Sequence, residues 1–219
     1  MKQAKEVQHV LLPEFVTVAG LSIETEYRPA REVGGDFFQI IPHEEDGSVL
    51  IVAGDVTGKG LPAGMLVAVL VGAIRSTAEY AIEPRAILEA LNRRLLGRSE
   101  AFATCLAMNV GMDGIVTLAN AGHLAPYLNG IEVPMEGALP LGMIDGAEFP
   151  VSMFHIATGD NIILISDGVL EAQNSLGDLF GFDRIHELLR TTVSAADIAA
   201  AAQAFGQSDD ISVVSVVRN

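Results

Sequence analysis

The sequence predicts an antiparallel α+β layered fold, and three observations carry that prediction. Around ten short runs have strand character, and many meet at hairpin turns. At least four stretches have helical spacing and helix-end signals. No long strand–helix–strand alternation of the kind that builds a doubly wound parallel sheet is present. With no low-complexity linker and no internal repeat, residues 1–219 read as a single domain.

The elements follow in order. Residues 2–12 carry early charges and place Val7, Val10 and Leu11 at helical spacing, a short amphipathic helix stopped by Pro13. It is too short to be stable alone in water, so it is expected to dock on the domain or on a partner. Leu21 to Tyr27 alternates apolar with polar residues, as a half-exposed strand does. A loop from Arg28 to Gly35 precedes Asp36 and the strand Phe37–Ile41. Glu44-Glu45-Asp46-Gly47 is a turn into Val49-Leu50-Ile51-Val52-Ala53, a buried strand that stops at Gly54-Asp55. Leu61 to Glu79 is a helix whose Gly60, Gly64, Ala68 and Gly72 form a smooth stripe, read as a packing seam. Pro84 opens a second helix to about Leu96, and Gly97 stops it. Strands follow over Ala103–Val110, Ile115–Ala119, Leu124–Leu128 and Ile131–Val133, the last two joined by the hairpin dipeptide Asn129-Gly130. Phe149–Ile156 and Asn161–Ile165 are strands, Gly181–Thr191 and Ala195–Phe205 helices, and Ile211–Val217 the final strand.

Composition narrows the function. Lys and Arg total 13 against 28 Asp and Glu, a formal charge of −15, which disfavours nucleic acid and anionic membranes as partners. The same balance suits an acidic site whose charge is offset by bound cations. A single cysteine, Cys105, cannot form an internal disulfide, so a reducing cytoplasm is the expected compartment. The longest apolar run, Leu61 to Ile74, is interrupted by proline and glycine, whereas a membrane span needs about 20 residues. Nothing in Met1-Lys2-Gln3-Ala4-Lys5-Glu6 resembles a signal peptide core.

Four aspartates stand at strand ends. Asp36 and Asp209 precede strands, and Asp55 and Asp167 follow buried ones. Alone, each would be an ordinary turn residue. Crowded at one rim they would repel and raise one another's pKa, and hard divalent cations such as Mg²⁺ or Mn²⁺ relieve such repulsion. Two ions about 3.5–4 Å apart suit phosphoryl chemistry. Spacing by itself leaves the convergence open. Other catalysts are poorly supported. Cys105 lacks the arginine six positions on that a cysteine phosphatase loop needs, that position being Gly111, so it reads as a core strand residue. The five histidines show no close-paired spacing for zinc. His123 reads as a loop residue held by its own hydrogen bonds, with a catalytic acid as the alternative. Gly58-Lys59-Gly60 lacks the Walker spacing, and no Gly-x-Ser-x-Gly elbow is present.

Six motifs in order resemble the SpoIIE-type branch of the metal-dependent serine/threonine protein phosphatases, the PPM family. They are Pro29-Ala30 through Val33-Gly34-Gly35-Asp36-Phe37-Phe38, Gly54-Asp55-Val56-Thr57-Gly58-Lys59-Gly60, Asn120-Ala121-Gly122-His123, Pro140-Leu141-Gly142, Ser166-Asp167-Gly168-Val169-Leu170-Glu171-Ala172 and Asp209-Asp210-Ile211-Ser212. Gln8 to Pro13 is similar to the branch's N-terminal helix and its Leu-Pro stop.

The resemblance implies an αββα sandwich, two packed antiparallel β-sheets flanked by helices, with two Mn²⁺ or Mg²⁺ ions at one rim. It implies that Asp55 bridges both ions, that Asp36 and the Val56 carbonyl complete one, and that Asp167 and Asp209 complete the other, Asp210 being the alternative to Asp209. A bridging hydroxide would attack the phosphorus of phosphoserine or phosphothreonine in line, with no phosphoenzyme. The implied substrate is a STAS-type anti-sigma-factor antagonist in a partner-switching pathway. Residues 2–12 would serve homodimerisation or an upstream regulatory domain, and a stand-alone member and an excised domain are both open. Two departures stand out. Phe37-Phe38-Gln39 replaces the Phe-Tyr-Asp of many members, removing a carboxylate expected near the site, and the phosphate-binding arginine of the eukaryotic relatives has no dependable equivalent, the role not being carried onto nearby Arg28 or Arg31. Two rivals remain: a catalytically silent phosphatase-like module that sequesters a regulator, and a two-metal nuclease, which the charge opposes.

Overall fold

Ten strands and five helices form among residues 17–98, 101–191 and 193–219, which the computed structural model describes. The expected helix over 2–12 lies outside the described residues. In chain order the elements are β1 (Leu21–Arg28), β2 (Asp36–Pro42), β3 (Val49–Val56), α1 (Leu61–Ala78), α2 (Pro84–Leu95), β4 (Ala103–Val110), β5 (Ile115–Ala121), β6 (Tyr127–Leu128), β7 (Ile131–Glu132), β8 (Val151–His155), β9 (Asn161–Ile165), α3 (Asp167–Leu170), α4 (Gly181–Leu188), α5 (Ala195–Gly206) and β10 (Ile211–Arg218).

Two antiparallel five-stranded sheets result. The first runs β1-β10-β9-β6-β7 and the second β2-β3-β4-β5-β8. Period-two alternation sorts their side chains into three cores. On β3, Val49, Ile51 and Ala53 join the core between the sheets, while Leu50, Val52 and Val56 face α1 and α2. On β9 and β10, Ile162, Leu164, Val214 and Val216 face the second sheet, while Ile163, Ile165, Ile211 and Val213 face α3, α4 and α5. Central strands covered on both faces read as continuous apolar runs, and β3 does. Edge strand β1, half exposed, keeps Glu24 and Glu26 among its alternating residues.

Most predicted elements form within a residue or two. Asn129 (φ 50°) and Gly130 (φ 79°) make the two-residue hairpin turn between Leu128 and Ile131. Strand β6 is two residues rather than five, and α4 ends at Leu188, short of Thr191. The small-residue stripe of α1 is not a continuous seam. Gly64 lies against Val33, whereas Gly72 is exposed with no heavy atom near its Cα face among the described residues. By length and composition α1 is apolar enough to cross a membrane, but it lies on the second sheet with seven residues buried.

Candidate metal centre

Strand register builds the site. Asp36 and Asp55 are direct cross-strand partners on the last rung of β2 and β3. Both share parity with the inter-sheet residues Phe38, Ile40, Ile51 and Ala53, so their carboxylates point between the sheets at the rim. The first sheet brings the others to the same end. The chain leaves β9 through Ser166, whose N–H donates to the Ser212 carbonyl at 3.0 Å, and Asp167 opens α3. Gly168 is required there, because a Cβ would collide with the Asp210 carbonyl. Carboxylate oxygens of Asp36, Asp55 and Asp167 lie within 4.8 Å of one another.

Neighbouring groups hold this trio. Ser212 Oγ donates to Asp36 Oδ2 at 2.8 Å. Buried Asp210 accepts the N–H of Ala30 at 2.8 Å and of Gly35 at 2.8 Å, tying the Arg28–Gly35 loop to the start of β10. With both its oxygens so engaged, Asp210 fixes the loop that precedes Asp36. Gly35 faces Asp55: a Cβ there would stand 2.5 Å from Asp55 Oδ1 and 2.8 Å from the Val56 carbonyl oxygen. Those two oxygens therefore border one small cradle, left open by the missing side chain.

The electrostatics are those of anions in need of a counter-charge. Burial, then the Asp55 carboxylate, pushes Asp36 well above the usual range. Burial, followed by Asp167, Asp209 and Asp210, raises Asp55 from 3.8 to about 7, with Lys59 acting in the opposite sense. Asp167 is raised by burial, Glu171 and Asp209. Asp209 stands outside the trio. Its Oδ1 accepts the Asp210 N–H at 2.9 Å, and its Oδ2 is ion-paired with Lys59 Nζ.

Other singled-out residues sort cleanly. The His123 backbone and the Asn120 side chain exchange two hydrogen bonds, at 2.8 Å each, and His123 Nδ1 is 3.0 Å from Thr104 Oγ1. Burial lowers the imidazole to about 4. This is the expected self-held loop histidine. Cys105 is fully buried in the core under α1 and α2, and burial pushes its thiol up. Arg28 is engaged with Glu26 at 2.9 Å and Gln203 at 2.7 Å. Gln39 corrects an expectation. It lies three residues beyond Asp36, on the opposite strand face, where its Oε1 accepts from Arg75 Nε of α1 at 2.8 Å. A carboxylate at 39 would face the helix layer, not the cluster. Sequence reasoning gave no role to Ser212 or to Lys59. The signal for Ser212 was available, since it shares strand parity with Asp210.

An all-oxygen donor set of three clustered carboxylates, with a backbone carbonyl beside a side-chain-free cradle, fits hard cations such as Mg²⁺ or Mn²⁺. Comparison with known proteins places the chain in a family. The family model for Stage II sporulation protein E (SpoIIE) matches residues 45–219. The phosphoserine phosphatase RsbU of Bacillus subtilis is 30% identical over 191 residues, covering 80% of this chain and 55% of RsbU. Protein IcfG of Synechocystis is 24% identical, and its match covers 100% of this chain and 41% of IcfG. The chain thus spans about half the length of the curated relatives it matches. Among solved structures, the SiaA-PP2C domain of Pseudomonas aeruginosa superposes with a TM-score of 0.84 at 24% identity, covering 100% of this chain and 95% of that one. The RsbU and RsbW domains of Rv1364c from Mycobacterium tuberculosis give a TM-score of 0.74 at 25% identity, covering 92% and 61%. Matched over four-fifths of its length, with the two-sheet architecture of its structural neighbours, the chain belongs to the SpoIIE family of PPM-type phosphatase domains.

Proposed function

We propose that the chain is a Mg²⁺- or Mn²⁺-dependent phosphatase acting on phosphoserine or phosphothreonine of a protein. The observation that carries this reading is the convergence of Asp36, Asp55 and Asp167 from two sheets onto one rim. Asp55 stands opposite Asp36 and within reach of Asp167, the placement of a carboxylate shared between two cation positions. In this reading Asp36 and the Val56 carbonyl complete one position, and Asp167 and Asp209 the other. A pair of ions, when bound, supplies an activated water and charge neutralisation at phosphoryl oxygens. The chain's own part is geometric. Ser212 orients Asp36, Asp210 fixes the Gly34-Gly35 turn, and Gly35 leaves room beside Asp55.

The substrate proposed is a phosphorylated STAS-type anti-sigma-factor antagonist in the cytoplasm. Support comes from the relative named phosphoserine phosphatase RsbU and from the structure that joins RsbU and RsbW domains. Residues 2–12 are proposed to join a second copy or an upstream regulatory domain. A monomer whose activity is unchanged on removing residues 1–12 would refute that role.

The test is phosphate release from a panel of phosphorylated antagonist proteins with Mn²⁺, with and without chelator. Turnover is expected with the ion alone, and Asp55→Asn is expected to abolish it while cooperative thermal unfolding persists. Robust turnover by Asp55→Asn sinks the mechanism. Tight binding of a regulator with no metal-dependent turnover would favour the silent module instead.

A further inference from the structure

We propose that Lys59 is a built-in rival of the second divalent cation for Asp209, so that loading of that position requires the ammonium to leave. The inference rests on the two-ion reading above. Asp209 has two carboxylate oxygens, and both are engaged: Oδ1 by the Asp210 N–H at 2.9 Å, Oδ2 by Lys59 Nζ. Each oxygen keeps a second lone pair, so it is charge rather than occupancy that sets up the conflict: a dication on Asp209 and the Lys59 ammonium would crowd positive charge at one carboxylate. The Asp210 N–H belongs to the adjacent peptide and moves only with the backbone. Lys59 is a compact charge on a flexible stem and is the group that can yield.

The chain holds Lys59 at this post. Its neighbours Gly58 and Gly60 have φ of 95° and 79°, left-handed conformations that glycine adopts without strain and other residues do not. They set the turn between β3 and α1, directly after Asp55 and Val56, the last two residues of β3. The end of β3 and the turn after it thus place the shared ligand Asp55 and a competitor for Asp209 a few residues apart. Residue 59 also meets residue 209 across 150 positions of sequence, so the pair ties the second sheet's loop to the first sheet's rim. The side chains of Lys59 and Asp209 are 43% and 32% exposed. A pair this solvated is weak, and a dication can exchange with it.

A threshold follows. The first position fills without disturbing Lys59, and the second fills at a cation concentration raised by the cost of breaking the pair. Calorimetric titration of Mn²⁺ and of Mg²⁺ into the whole chain tests this with no turnover involved. In Lys59→Met one of the two ions is expected to bind about two- to fivefold tighter, the worth of an exposed ion pair, with the other unchanged. Lys59→Arg, which keeps the charge, is expected to stay near wild type, and thermal unfolding checks that both variants fold. Asp209→Asn is expected to lose the second ion. Unchanged or weaker binding in Lys59→Met, with the second ion lost in Asp209→Asn, overturns the rivalry and leaves the two-ion reading standing. Two ions bound at wild-type affinity by Asp209→Asn overturn the assignment of Asp209 itself, and the rivalry with it.

Discussion

Gly35→Ala isolates the cradle from everything else in the site. The residue's φ lies outside the left-handed region, so alanine meets no backbone strain and the effect is purely one of space. The added Cβ would stand 2.5 Å from Asp55 Oδ1 and 2.8 Å from the Val56 oxygen, well inside ordinary contact. Those groups must give way by several tenths of an ångström. Overpacking of this kind costs about 1–3 kcal/mol of stability. Asp55 Oδ1 and the Val56 oxygen are themselves ligands in the proposed reading, and moving them costs at least the roughly 10–100-fold in affinity that losing a ligand-orienting group does. At a Mn²⁺ concentration 100 times the wild-type Kd, bound ion stabilises the native state by about 2.7 kcal/mol. A tenfold weaker variant gains about 1.4 kcal/mol and a hundredfold weaker one about 0.4 kcal/mol by the same relation. In a chain of this size each kcal/mol moves Tm by about 2–4 °C. Thermal unfolding with and without Mn²⁺ should therefore show a rise of about 5–10 °C for wild type and at most about half that for Gly35→Ala. Gly72→Ala, on an exposed turn of α1 with open space around it among the described residues, is the control and should keep the full rise. A Gly35→Ala protein with the wild-type rise would refute the cradle.

Two further outcomes are expected. Without divalent cations, stability should fall as pH rises from about 4 to about 7. The folded state raises the pKa of Asp36, Asp55 and Asp167, and these three outweigh buried His123, lowered to about 4, which acts in the opposite sense, so the folded state holds more protons than the unfolded chain in that window. Saturating Mg²⁺ should flatten the decline, and urea midpoints that climb with pH in chelator would contradict the crowding. Cys105 should be inert to thiol reagents in the native protein and react only on unfolding, since its side chain is fully buried and its thiolate disfavoured. Labelling of native protein at the rate of a free thiol would show a strand β4 looser than described.

What the sequence disclosed, and what it hid, follows from the range of the interactions. Strand β3 was legible because burial on both faces leaves an unbroken apolar run, and the Asn129-Gly130 turn because φ > 0 at two successive positions has few solutions. Helix α3 escaped because one turn, Asp167–Leu170, has no periodicity to detect. Gln39 was misplaced by nearness in sequence to Asp36, though the strand period already puts it on the other face. The four strand-end aspartates were visible one by one. The meeting of Asp36, Asp55 and Asp167 was not, because it depends on the register of Asp36 with Asp55 and on the two sheets stacking at one rim. The Lys59–Asp209 pair, 150 residues apart, has no local signature at all.

That dependence on stacking also explains why so acidic a site can exist. Raising Asp55 from 3.8 to about 7 corresponds to about 4 kcal/mol against its ionised form, by the relation between pKa and free energy. Full burial of one Val, Leu or Ile side chain contributes about 1.5–3 kcal/mol. Two or three residues of the inter-sheet core, such as Ile51, Leu106 and Ile162, each 0% exposed, are enough to offset that cost. The core that forces the carboxylates together thus carries the penalty of burying Asp55 beside its neighbours. What remains uncompensated at the rim is negative charge facing a solvent-reachable mouth, where Asp209 and Lys59 are both partly exposed. Such a rim takes up positive charge, and a dication supplies two charges where a proton supplies one. Cation binding is then the step that relieves the fold, and the same rigidity that stores the repulsion holds the ligands in place.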